Sequence, residues 1–317
     1  MPVEIGGRRP VGSWIELIRD TSSKFHDKLH QIYGDNDDLK AEAVEMCLRS
    51  LEAFAERYGA DRSVIIIRST GRVNLLGTHI DHRGGSVNPI AVKHMWLVVE
   101  PRDDDLVLAK NVEADDFSDE QFSISRSLPA GKKIENWDTW CHEEYEKRRN
   151  DTSVSWSNYI RAAVLYLQHL NTKEDGSFNP AIRGMNMMVY GNIPRAAGLS
   201  SSSALVMITV EAVIRINSLD VNPADFVEHW GFAEWYVGTR GGCSDHAAII
   251  YGRHHTILHI TAFPLSVEQS ALPAGYCFVL ANSNVKAKKQ AGARDIFNSR
   301  VAGYVFGLML IRKNFPL

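Results

Sequence analysis

A loop between Gly191 and Ser203 limits what this chain can become more than any other stretch. Residues Gly184 to Tyr190 read as a strand. Residues from Ser202 to about Arg215 read as a helix, with Leu205, Ile208, Thr209, Ala212, Val213 and Ile216 at helical spacing. Pro194 and Gly198 break regular structure between the two. A small-residue turn therefore feeds a helix N-terminus through the run Gly198-Leu199-Ser200-Ser201-Ser202-Ser203. Such a terminus presents unpaired backbone N–H groups and the positive end of a dipole. Small side chains let a phosphate approach it. A serine-capped helix after a turn is the plainer reading of the same residues. The loop has no lysine of the Walker type, and it lacks the Gly-x-Gly-x-x-Gly spacing of dinucleotide sites.

The length, 317 residues, fits one large domain or two. Hydrophobic content of 44% is enough for a real core. A net charge of -3, without a basic block, argues against bulk nucleic-acid binding. Cys47, Cys141, Cys243 and Cys277 have no CxxC spacing and read as free thiols of a reducing compartment. No apolar run approaches membrane-spanning length. These features together lead us to expect a soluble, cytoplasmic protein with neither nucleic acid nor membrane as a partner. Nothing in them fixes the oligomeric state.

Along the chain, residues 13 to 33 read as one helix and Asp38 to Tyr58 as another, with Gly59 ending it. Val64 to Ile67 is a β-branched run and reads as a buried strand. Val87 to Glu100 and Asp105 to Asn111 read as further strands, and Asp115 to Asn136 as polar and turn-rich. Trp156 begins an amphipathic helix whose apolar stripe, Tyr159, Ile160, Ala163, Val164, Leu167 and Leu170, reads as core. Leu219 to Gly238 is helical with a break near Pro223. Asp245 suits a helix N-cap before His246. Thr256 to Ile260 and Tyr276 to Ala281 read as strands, and a helix carrying Phe297 to Arg300 follows.

Between Arg68 and Gly85, polar groups crowd between two expected glycine turns: Arg72, Asn74, His79, Asp81 and Arg83. This stretch resembles the galactokinase signature Gly-Arg-Val-Asn-Leu-Ile-Gly-Glu-His-x-Asp-Tyr. Pro194-x-x-x-Gly198-Leu199-Ser200-Ser201-Ser202 resembles the phosphate loop of the GHMP kinases, the small-molecule kinases to which galactokinase belongs. The Trp156-x-Asn158-Tyr159-Ile160 helix, the segment from Ala233-Glu234 to Asp245, and Asn284-Val285-Lys286 with its following helix are similar to galactokinase segments in the same order. The resemblance runs from about Glu52 to Arg312.

That resemblance implies an α+β fold: a GHMP kinase N-terminal domain, similar to domain 2 of ribosomal protein S5, and the beginning of a ferredoxin-like C-terminal domain. It puts the first at 1–285, with a helical extension over about 1–60, and the second at 286–317. It also implies an ATP- and Mg²⁺-dependent sugar 1-kinase with a small-molecule sugar as substrate. Gly198, Leu199, Ser200, Ser201, Ser202 and Ser203 would cradle the ATP phosphates. Ser202 and Glu234 would hold Mg²⁺. Asp245, aligned one residue short of the family spacing, would be the catalytic carboxylate, with Arg72 as its partner. His79 and Asp81 would hold the sugar.

The chain departs from the signature at two positions: Thr78 replaces a glutamate that holds the sugar near C6, and His82 replaces a tyrosine. Thr78 with Arg83 nearby would admit a larger or anionic C6 group such as a uronic acid, since arginine meets carboxylates well. A small residue before His-Ile-Asp-His resembles the plant galacturonokinase pattern. A third glycine-rich family motif has no counterpart after Leu280. The resemblance therefore also implies an alternative, a fragment or a galactokinase-like protein that binds sugar and ATP with little turnover.

Overall fold

The computed structural model describes residues 3, 4, 6–78, 80–148, 155–283 and 291–315. In chain order it forms β1 (Val3–Glu4), β2 (Arg9–Pro10), α1 (Val11–Arg19), α2 (Lys24–Tyr33), α3 (Asp37–Tyr58), β3 (Ser63–Leu76), β4 (Ser86–Pro101), β5 (Leu106–Asn111) and β6 (Glu120–Ser123). There follow α4 (Trp137–Arg148), α5 (Asn158–Leu170), β7 (Met185–Gly191), α6 (Ser201–Ile216), α7 (Val227–Glu234), α8 (Ser244–Tyr251), β8 (Thr256–Thr261), β9 (Ser266–Ala271) and α9 (Ala291–Asn314).

The main sheet has the order β1-β3-β4-β7-β5-β6. Its pairs are antiparallel except β5 with β7. The first residues of β4 also pair with β8, which carries β9 on its other edge. The architecture is α+β, as expected.

Successive strand residues face opposite ways, and here each face has its own core. Ile65, Ile67, Leu97, Val99, Met187 and Val189 join the core beneath α4 to α8. Val64, Ile66, Trp96, Val98, Met188 and Tyr190 join a second core beneath α1 to α3. Two covered faces explain why these strands are apolar without alternation. Each fully buried large side chain contributes about 1.5–3 kcal/mol to that layering.

Several elements differ from the sequence reading. Residues 13 to 33 make two helices, because the Asp20 carboxylate accepts from the backbone N–H and the hydroxyl of Ser22 at 3.0 and 2.7 Å. That local turn competes with the helix ladder. The strand starting near Val64 continues through the signature to Leu76, and Gly71 is not a turn but a ladder residue opposite Val92. The irregularity lies on β4. Between the pairs Ser69–Met95 and Gly71–Val92, β4 uses one residue more than β3, and Lys93 takes a φ of 56°.

Helix α4 was not expected, since its sequence is mostly charged and buries only Trp137, Trp140 and Cys141. Tyr276 to Ala281 is not a strand. No described strand pairs with it, and Tyr276 and Val279 are 74% and 87% exposed. The segment Asn284-Val285-Lys286, and with it the expected domain boundary at 285, lies outside the described residues. Asp245 is not an N-cap. It sits in the first turn of α8, whose cap position is Cys243. All four cysteines are unpaired. No described helix is long and apolar enough to cross a membrane.

Candidate active site

The loop leaving β7 reaches α6 through left-handed residues at alternate positions, Ala196, Gly198 and Ser200. That alternation curls a backbone so that successive N–H groups turn to one side, the form of an anion-binding nest. Helix α6 begins without a side-chain cap and without an acid in its first turn. Its first N–H groups and dipole are thus left for something else. The loop lies along β3: the Arg72 N–H donates to the Leu199 carbonyl at 3.1 Å. Gly71 permits this approach, since a Cβ there would sit 2.5 Å from the Leu199 oxygen.

Three separated stretches meet at Asp245. Arg72 Nε donates to Asp245 Oδ1 at 2.7 Å, and Arg72 Nη2 lies 2.5 Å from the same oxygen. The Ser200 hydroxyl donates to Asp245 Oδ2 at 2.5 Å. Arg72 Nη1 donates to the Gly198 carbonyl at 2.7 Å. The signature strand, the loop and α8 are thereby joined through one ion pair. Burial alone would raise the Asp245 carboxyl. The Arg72 charge, the Ser200 hydroxyl and the Arg72 N–H outweigh burial and hold it below the ordinary carboxylate range.

Glu234, at the end of α7, takes a hydrogen bond from the Ser203 hydroxyl at 2.9 Å. His246 Nε2 lies 3.1 Å from the same carboxylate oxygen, close but not aligned as a hydrogen bond. Burial pushes the Glu234 carboxyl up, and His246 and Ser203 more than reverse that, against the charge of Asp245. Ser203 is the serine that touches Glu234; Ser202 lines an adjoining cavity.

Both carboxyls are depressed in the folded chain, so acid should destabilise it with a definite sign. Their contribution is in place above the ordinary carboxylate range near pH 4. It is lost as pH falls through the lowered folded values, because the unfolded chain then binds protons that the folded chain does not. In urea titrations at pH 7 and pH 3, wild type should lose more stability than Asp245→Asn. Equal losses would remove Asp245 from the acid response.

The sugar-side residues are only partly gathered. Thr78 and Arg83 are exposed, and the Arg83 guanidinium lies 3.8 Å over the ring of Tyr304 on α9. His79 lies outside the described residues. Asp81 Oδ2 accepts from the Ser244 N–H at 3.2 Å, which brings it to the N-terminus of α8, one residue from Asp245. Helix α9 braces the turn before α8, with Asn298 bonded to Arg240 N–H at 3.0 Å and to the Gly238 carbonyl at 2.7 Å.

Beside the start of α6 is a cavity of about 580 Å³, lined among others by Phe117, Trp156, Tyr159, Arg195, Ser201 and Ser202. Sequence reasoning missed it. Tyr159 read as core, yet it lines the cavity beside Trp156, whose indole N–H reaches the Ser118 carbonyl at 2.9 Å on the cavity wall. Arg195, inside the loop, pairs with Asp116 at 2.9 Å and covers the Phe117 ring at 4.4 Å. An arginine among small loop residues was the available signal. The links from Ser200 to Asp245 and from Ser203 to Glu234 were also missed, because spacing cannot show which serine faces which acid.

Two stretches of the chain match family models. Residues 158–253 match the GHMP kinases N terminal domain, and residues 52–100 match the galactokinase galactose-binding signature. A galactokinase of Schizosaccharomyces pombe is 27% identical over 311 residues, 94% of this chain and 55% of that protein. A galactokinase of Limosilactobacillus fermentum is 31% identical over 239 residues, 74% of this chain and 53% of that protein. The crystal structure of Lactococcus lactis galactokinase complexed with galactose shares the fold, with a TM-score of 0.60 at 22% identity over 84% of this chain and 61% of that one. The chain spans about half the length of the curated relatives it matches. Over the part that it spans, the chain is built as the galactose-binding signature and N-terminal domain of a galactokinase-like GHMP kinase.

Proposed function

We propose that the chain serves an ATP-dependent kinase that phosphorylates the anomeric hydroxyl of a hexose, galactose or a C6 variant such as galacturonate, to a sugar 1-phosphate. The observation that carries this reading is the junction of Arg72, Asp245 and Ser200, where signature, helix α8 and loop share one ion pair. Phosphoryl transfer depends mainly on positioning and charge neutralisation, and the residues divide along those lines. The loop from Gly198 to Ser203 and the head of α6 cradle the phosphates. The neighbouring cavity, with Phe117, Trp156 and Tyr159, is of a size for the nucleoside. Asp81 and His79 hold the sugar so that its anomeric oxygen faces Asp245.

The anomeric oxygen forms a bond to the γ-phosphorus, the bond from that phosphorus to the β-bridging oxygen breaks, and ADP leaves. Asp245 orients the hydroxyl or takes its proton. Arg72 keeps that carboxylate ionised and offsets charge developing at the loop. A hard cation fits the oxygen donors present: Glu234 with the hydroxyls of Ser202 and Ser203 would hold Mg²⁺, which neutralises phosphate charge when bound.

The test is incubation of the purified protein with labelled ATP, Mg²⁺ and, separately, galactose, galacturonate, glucose and mevalonate, beside binding titrations of each. Label should appear in an acid-labile anomeric phosphate of galactose or galacturonate. Binding of sugar and ATP without transfer would mean a binding protein. Binding of neither would end the reading.

A further inference from the structure

Through the largely apolar core between the N-terminal helices and the sheet runs a polar chain from Arg68 by way of Tyr33 to His94, and that chain ends at the phosphate loop. Arg68, 7% exposed, donates through Nε to the Tyr33 hydroxyl at 2.7 Å. The Tyr33 hydroxyl, having accepted that bond, is left to donate to His94 Nδ1 at 3.2 Å. The proton of His94 then belongs on Nε2, which lies 3.1 Å from Met46 Sδ. His94 is 1% exposed, and burial, with Arg68 and Lys93 nearby, pushes its pKa down to about 3. The ring stays neutral and its tautomer stays fixed.

His94 has no partner in the β3 register, and one residue beyond the last β4–β7 pair, Met95 with Gly191, its backbone bonds to Asn192. Asn192 N–H donates to the His94 carbonyl at 3.1 Å, and Asn192 Oδ1 accepts the His94 N–H at 2.8 Å. The remaining amide group of Asn192 donates through Nδ2 to Glu42 Oε1 on α3 at 3.0 Å. Asn192 is the first residue after β7, and it lines the cavity beside the loop. A residue at a strand end with its backbone and both side-chain atoms engaged sets the direction in which the next segment leaves. Of these three bonds, the one to Glu42 comes from outside the sheet.

We propose that Glu42 is a positioning residue for nucleotide binding: its carboxylate locks the Asn192 amide and thereby fixes where the phosphate loop departs from β7. This rests on the reading of that loop and cavity as the nucleotide site. The helical layer formed by α1 to α3 is then part of the nucleotide site at one remove.

The test compares wild type, Glu42→Ala, Glu42→Gln and Asn192→Ala, with Glu52→Ala as a control on the same helix, where Glu52 pairs with Arg19 at the surface. Affinities for ATP and for galactose are titrated separately, and hydrogen exchange is followed over residues 192–200. Glu42→Ala should weaken ATP binding about tenfold, the size of losing one hydrogen bond to a charged group. Galactose affinity should stay within about twofold, and loop amides should exchange faster. Glu42→Gln, whose amide oxygen can still accept from Asn192, should recover most of the ATP affinity. Adding Glu42→Ala to Asn192→Ala should weaken binding no further. Wild type that binds ATP while Glu42→Ala binds it equally well overturns this inference alone. Equal weakening of ATP and galactose overturns it too, since that is general destabilisation. Wild type that binds no ATP overturns both this inference and the nucleotide reading beneath it.

Discussion

Asp245→Asn should lower turnover by roughly two to four orders of magnitude, the usual size of general acid–base help. Nucleotide affinity should change little. The substitution keeps the shape of the side chain and can keep one bond from Arg72, so the junction of β3 and α8 is not cut. What disappears is the negative charge. Arg72 then has no carboxylate to neutralise it, and the attacking hydroxyl has no anionic acceptor. Because Asp245 is held below the ordinary carboxylate range, it is ionised at neutral pH but is a reluctant proton acceptor in the free protein. Sugar entering between it and Arg72 would loosen that pairing and raise its basicity. The kcat/KM of wild type, which reports groups of the free protein, should persist well below pH 6, while any acid limb raised by bound sugar should show in kcat alone. Single-turnover rates on galactose for the two proteins, with ATP affinity measured alongside, decide the matter. An Asp245→Asn protein with full turnover would take the carboxylate out of the chemistry.

The chemistry-bearing stretches were legible in the sequence because they are contiguous. The serine loop lies between a breaker pair and an apolar helix, and its role needs only backbone and small side chains. Arg72 and Asp245 are 173 residues apart, and only the resemblance to a known family suggested that they meet. Other contacts left no local trace. Ser200 reaches Asp245 because it takes a left-handed conformation, which a serine adopts at some cost and which no spacing rule reveals. Asn192 looked like one more turn residue. Its part involves the bulged strand β4, three strands back in sequence, where Lys93 has a positive φ without any glycine to announce it. The two-core layering was half legible. Continuous apolar strands imply two covered faces, but which helices cover which face follows from topology alone. The strand expected at Tyr276 to Ala281 shows the converse error: composition favours a strand, and a strand still needs a neighbour.

Gly242→Ala should weaken sugar binding about 10- to 100-fold and leave ATP binding nearly unchanged. A Cβ at this position would lie 2.3 Å from Asp81 Oδ2 and 2.7 Å from its Cγ, inside van der Waals contact with both. The glycine is not in a left-handed conformation, so alanine adds no backbone strain and the effect is purely one of space. Asp81 must swing away from the bond it accepts from the Ser244 N–H. Forcing extra atoms into a filled site costs about 1–3 kcal/mol, and here that cost falls on the carboxylate proposed to grip the sugar. The phosphate loop is held instead through Gly71, Arg72 and Asn192, whereas the three atoms nearest the added methyl group all belong to Asp81. The informative comparison is with Asp81→Ala, which removes the same carboxylate without crowding the turn. If Asp81 is a sugar ligand, both variants should lose galactose affinity to a similar degree, and combining them should cost no more than Asp81→Ala alone. If Gly242→Ala weakens galactose while Asp81→Ala does not, the loss comes from distortion of the turn entering α8, and the sugar is held by other residues of the signature.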